Sequence, residues 1–232
     1  MATIRRIILF IFIASTALIA QQFTAEKILQ NVKMNFDRVQ DYSAQLTAKV
    51  DMERLRVPEM KVKIYFKQPN KFKTESKNTS FLPRNIFDLN PGDLLTKFDA
   101  ILMGKENDSE KVYYKIRLIS KPEKGKPPHE SFIWIDAQRW TIDRFEAYPQ
   151  EGRKIQVLID QTLIDGKYFL PVKIFASFDF DQNTDSLSER IYNQSRMPRK
   201  GSVELRYSDY QVNTGLSDEI FEKKEKRESE KK

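Results

Sequence analysis

The sequence predicts a mainly β protein with few helices, an α+β chain built on a single curved antiparallel sheet. Apolar and polar residues alternate with a period of two over about ten stretches. Only two stretches keep a helical period. Glycine is scarce, at 7 of 232 residues, which argues against Gly-rich phosphate loops and linker-rich architectures.

Residues 1–20 read as a signal peptide. Arg5 and Arg6 form its basic start, Ile7 to Ala14 its apolar stretch, and cleavage is expected after Ala20, with Ala17 as the alternative. The apolar stretch is shorter than the roughly 18 to 20 residues that a spanning helix needs, and an uncleaved anchor is the alternative reading. Residues 21–221 then form one domain. Residues 222–232 mix Lys and Arg with Glu and read as a charged, disordered tail.

The domain opens with a helix. Ile28, Leu29, Val32 and Phe36 share one face, and Thr24 is a candidate N-cap. The period then changes. Ala44, Leu46, Ala48, Val50 and Met52 alternate with polar residues, as do Met60, Val62, Ile64 and Phe66 after a turn at Pro58. This is a long antiparallel hairpin with one apolar face. A turn at Gln68–Asn70 leads to a short strand with Phe72 and Thr74.

Leu94, Leu95, Phe98, Ile101 and Leu102 follow helical spacing. Asn90 or Asp93 is the candidate cap, Pro91 suits the first turn, and Gly104 is the expected stop. With Phe81, Leu82 and Phe87 they are candidates for a helical lid over the sheet, or for core packing.

Strands then run to the end. Val112, Tyr114, Ile116 and Leu118 share a face; Phe132 and Trp134 follow a Lys/Pro-rich loop; Ile142 follows Trp140 after a turn. Three more apolar faces follow, at Ile155–Ile159, Val172–Phe180 and Val203–Tyr207. A sheet of about ten one-sided strands curls. Its apolar face closes into a sandwich, is plugged by the helices, or encloses a cavity.

Little in the sequence points to catalysis. Cysteine is absent, which removes disulfides, thiolate metal sites and a cysteine nucleophile. The single histidine, His129, lies in a loop, and GxSxG is missing. Asp136, Asp143 and Asp160 fall at strand ends or on polar faces, where solvation explains them. The net charge of +7 is spread along the chain rather than gathered with aromatics, which argues against nucleic acid as a partner. No catalytic residue, metal or cofactor is indicated, and the protein is expected not to be an enzyme. The expected concave face carries Leu46, Val50, Val62, Ile64, Phe66, Val112, Tyr114, Ile116, Trp134 and Ile142.

The order of phrases is distinctive. Tyr42 to Leu55 is followed by Lys67-Gln68-Pro69-Asn70-Lys71-Phe72-Lys73-Thr74-Glu75. Phe132-Ile133-Trp134-Ile135-Asp136 comes later, and the segment Tyr207 to Phe221 closes the domain. Together these resemble the outer-membrane lipoprotein-sorting family, the LolA-like carriers. The resemblance implies an incomplete β-barrel with a helical lid. It further implies a monomer in the periplasm of a Gram-negative-type bacterium, holding lipid or acylated lipoprotein and exchanging it with an inner- or outer-membrane transport partner. Other branches of the family imply the alternative, an envelope stress sensor or interaction module without transported cargo.

Overall fold

The computed structural model describes residues 23–53, 55–75, 90–108, 110–122, 128–150, 153–180 and 200–222. The expected leader and most of the expected tail lie outside them, as do Phe81, Leu82 and Phe87.

Helix α1 (Ala25–Asp37) starts where the Thr24 hydroxyl accepts from the Lys27 N–H, 3.3 Å away. It buries Ile28, Leu29 and Val32. Strand β1 (Asp41–Met52) then pairs with β3 (Met60–Lys67), setting Leu46 opposite Val62 and Ala44 opposite Ile64. The two-residue β2 (Leu55–Arg56) pairs with the end of β1, and β4 (Lys71–Thr74) pairs with β3.

Helix α2 (Pro91–Lys97) is capped by Asn90, whose side-chain oxygen accepts from the Gly92 N–H at 2.8 Å. It is shorter than the spacing predicts. Phe98, Ile101 and Leu102 belong to strand β5 (Phe98–Asp108), so Leu94 and Leu95 are the only described lid candidates on a helix. The apolar residues from Leu94 to Leu102 fit both periods. Pairing with β6 (Lys111–Ser120) decides for the strand, setting Phe98, Ala100 and Leu102 opposite Ser120, Leu118 and Ile116. Gly104, the expected helix stop, instead marks a bulge in β5, with φ of 134°.

Strands β7 (Glu130–Asp136), β8 (Ile142–Gln150), β9 (Arg153–Ile164), β10 (Tyr168–Phe180) and β11 (Lys200–Val212) complete one antiparallel sheet. Its order is β4-β3-β1-β11-β10-β9-β8-β7-β6-β5, with β2 beside β1. The sheet is open, with β4 and β5 at its two ends, as an incomplete barrel requires. The first and last long strands, β1 and β11, lie side by side, third and fourth from the β4 edge.

Both helices pack on one face of the sheet. Ala25, Ile28, Leu29, Val32 and Leu94 meet Tyr114, Ile116, Leu118, Ile133, Ile135 and Ile142. Phe98, Leu102 and Ala100 pack around this cluster. The turn between β7 and β8 is tied to α1, because Asn35 donates to the Arg139 carbonyl at 2.6 Å. Trp140 occupies the left-handed region there, with φ of 54°, an uncommon conformation for a bulky residue. Its ring stacks on Tyr114 at 5.7 Å and meets Phe23 at 5.5 Å, contacts that hold it in place.

Candidate functional site: the inner face of the open sheet

Along each strand alternate side chains point to the helix side, here the inner face, and to the opposite, outer face. The inner face has two halves. Over β6, β7 and β8 it is covered by α1 and α2. Over β3, β1, β11, β10 and β9 a second cluster joins Leu46, Val50, Val62, Ile64, Val157, Ile159, Ile174, Ala176, Val203, Leu205 and Tyr207. Ala44 and Ala48 complete its buried members, and neither described helix contributes a residue to it.

Aromatic rings close one end of the second half. Tyr42 stacks on Phe66 at 5.2 Å, Phe36 of α1 meets Phe66 edge-on at 5.8 Å, and Tyr210 lies 5.5 Å from Tyr42 and 6.2 Å from Tyr207. The Tyr210 hydroxyl donates to the Pro171 carbonyl at 2.7 Å. Burial pushes the phenols of Tyr42, Tyr207 and Tyr210 far above their ordinary value, so each stays a neutral donor.

The expected concave residues are distributed over three places. Leu46, Val50, Val62 and Ile64 lie together in the half to which neither described helix contributes, and Phe66 lies beside them under Phe36. Tyr114, Ile116 and Ile142 are on the same face beneath the helices, with half-buried Val112 at the end of their row. Trp134 is on the outer face, because Ile133 and Ile135 take the inner positions of β7. It is 5% exposed for another reason. Arg144 covers its ring at 4.1 Å, Lys115 at 4.9 Å, and its indole N–H donates to Glu106 at 2.7 Å. Arg144, two residues after Ile142, is out of step with it. A register shift pairs Ile142 with Ile135 and Arg144 with Trp134, so the two lie on opposite faces.

The outer face has a depression of about 570 Å³ between the curled end of β5 and strands β6 to β9, lined by Glu106, Lys111, Tyr113, Trp134, Asp143, Arg144 and Asp160 among others. Asp136 and Asp143 are not simply solvated, contrary to expectation; they are 4% and 9% exposed. Arg139 bridges them, donating to Asp136 at 2.8 Å and Asp143 at 2.7 Å. Asp136 also accepts the Gln138 and Arg139 N–H groups, each at 2.9 Å. Burial raises its carboxyl, but these donors outweigh that and hold it below the ordinary value. Lys111 and Thr141 complete the set around Asp143. Asp160 remains exposed, as expected. These charges are matched pair by pair, an arrangement that orders a turn rather than activating a nucleophile.

Solved structures that match this fold include three that cover most of the chain. A DUF1329 family protein from Desulfovibrio piger superposes with a TM-score of 0.54 at 15% identity, covering 85% of this chain and 97% of that one. A LolA superfamily protein from Nitrosomonas europaea gives 0.54 at 13% identity, covering 87% and 99%. The chain shares its fold with these two structures. A Vibrio parahaemolyticus domain assigned to outer membrane lipoprotein sorting gives 0.51 at 14% identity, covering 85% and 97%. No protein-family model matches the chain, and neither does any curated protein sequence. The LolA-like fold therefore rests on shape, at identities that carry over no individual residue.

Sequence reasoning left Ile159, Ile174, Ala176, Val203, Leu205, Tyr42, Tyr207 and Tyr210 out of the candidate site. Their period of two is as clear as that of β1 and β3. What the sequence lacks is a local signal that β11 returns to pair with β1, setting Leu205 opposite Ala48 and Tyr207 opposite Leu46.

Proposed function

We propose that this protein is exported to the periplasm and binds an acyl-chain lipid, or the acyl chains of a lipoprotein, against the apolar inner face of its open sheet. It acts as a non-catalytic carrier. The observation that carries this reading is the half of the inner face over β3, β1, β11, β10 and β9. It gathers thirteen buried apolar residues, none of them from either described helix. A surface of this kind suits an acyl chain, at roughly 0.8 kcal/mol gained for each CH2 removed from water. Release then requires an acceptor membrane or partner that competes for the chain.

Three further observations support it. The chain begins with a basic and apolar leader of signal-peptide type. The LolA-like fold includes a structure assigned to lipoprotein sorting. The described ionisable clusters on the outer face are mutually neutralised, which fits binding better than catalysis.

The test is a titration of the mature chain with a fluorescent acyl-chain probe, made on two variants. Ala176→Phe enlarges an inner-face residue that is 8% exposed. Leu158→Phe enlarges an outer-face residue that is 39% exposed. The inner variant should bind about tenfold more weakly while keeping its β circular dichroism, and the outer variant should bind as the parent does. Equal binding by all three folded proteins, or none by the parent, contradicts the site.

A further inference from the structure

Ser131 stands apart on the inner face. It lies near the start of β7, two residues before Ile133, opposite Leu118 of β6 and Ala147 of β8. It is 1% exposed, and its hydroxyl oxygen is buried without a hydrogen-bond partner. Buried hydroxyls nearly always have a partner, because leaving one unpaired forfeits its hydration. Alanine would occupy the same position without that loss.

Its place in the sheet suggests what the hydroxyl is for. The row that continues from Ser131 across the strands is Ala147, Ile155, Phe178 and Gly201, and none has a side-chain acceptor. That row leads from the helix-covered half into the half to which neither described helix contributes. A ligand that extends from the second half along this row, past Ile155 and Ala147, meets Ser131 as a donor among apolar side chains.

We propose that Ser131 is the polar anchor of the acyl-chain site, donating its hydroxyl to the carbonyl oxygen of an ester- or amide-linked acyl chain. The inference rests on the reading of the inner face given above and narrows its ligand. The acceptor must be neutral, because Leu118, Ala147, Ile155, Phe178 and Gly201 in the row of Ser131 offer no cation to pair with a carboxylate or phosphate, and an unpaired buried anion is far costlier than one hydrogen bond can offset. The cargo is thus an acylated molecule whose carbonyl enters the apolar face while any charged headgroup stays outside it. Free fatty acid anions and plain hydrocarbons are poorer ligands.

The test displaces a fluorescent acyl-chain probe from the mature chain with a diacylglycerol, its dialkyl ether counterpart and an N-acyl amide of equal chain length. One neutral hydrogen bond predicts that a carbonyl-bearing ligand binds about fivefold more tightly than the ether. Ser131→Ala should bring that ratio to about one with the β circular dichroism unchanged, and Ser131→Thr, which keeps the hydroxyl, should retain the preference. Tighter binding of the ester alone, or of the amide alone, supports the anchor and identifies the linkage. Equal binding of ester, amide and ether by the parent, or a preference that survives Ser131→Ala, overturns the anchor while acyl binding stands. Failure of every ligand to displace the probe, or of the probe to bind, overturns the acyl-chain reading and the anchor with it.

Discussion

Glu146 is 4% exposed and accepts from Arg144, from Tyr148 at 2.9 Å and from Gln156 at 2.8 Å, with Lys154 at 3.2 Å. Burial alone would raise its carboxyl, but these donors hold it down at about 2. A carboxyl lowered in the folded state stabilises the fold above its ordinary value, and that contribution is lost as pH falls from about 4.5 through about 2. Its size is on the order of 3 kcal/mol. Glu146→Gln should therefore be less stable than the parent at pH 7, and the gap should narrow on acidification; denaturant midpoints measured from pH 7 to 2.5 check this, and parallel curves would contradict it. Such roles were poorly legible in the sequence. Asp136, Arg139 and Asp143 are close in the chain, so their spacing contained a signal, but only the turn geometry shows that Asp136 also accepts two backbone N–H groups. Ser131 was less legible still. Between Glu130 and Phe132 it reads as an ordinary strand serine, and its lack of a partner follows from packing alone.

The two helices and the hairpin β1–β3 were legible because each has a local signal. Thr24 and Asn90 mark the helix starts, and the alternation from Ala44 to Phe66 fixes the hairpin faces. The boundary at Lys97 was not legible, because Leu94, Leu95, Phe98 and Leu102 satisfy both periods and distant pairing with β6 decides between them. Gly104 shows the consequence. Beyond it β5 curls so that Glu106 reaches Trp134 across β6, with Lys115 2.8 Å from the same carboxylate. With φ of 134°, the position strongly favours glycine. Gly104→Ala should lose about 1 to 3 kcal/mol of stability and shift Trp134 fluorescence as the Glu106 contact loosens. A loss under about 0.5 kcal/mol with an unchanged spectrum would mean that the bulge does not hold the curl.

At the scale of the whole molecule, the open sheet divides its labour between two faces. The outer face matches its charges locally, and the inner face is apolar, covered by described helices over β6 to β8 only. Sidedness and curvature followed from the period of two and the number of strands. The pairing of β1 with β11 did not, because it joins residues about 160 positions apart with no local mark in either strand. It is this pairing that makes one continuous surface from β3 to β9, and the carrier reading depends on that surface. The direct test is mass spectrometry of solvent-extracted lipid from the mature protein, purified without detergent from its own cell envelope beside a mock purification. An acyl-chain lipid in about one-to-one ratio with the protein and absent from the mock is the result expected of an acyl-chain carrier. Protein that emerges empty, and stays empty after incubation with envelope lipid vesicles, would contradict it.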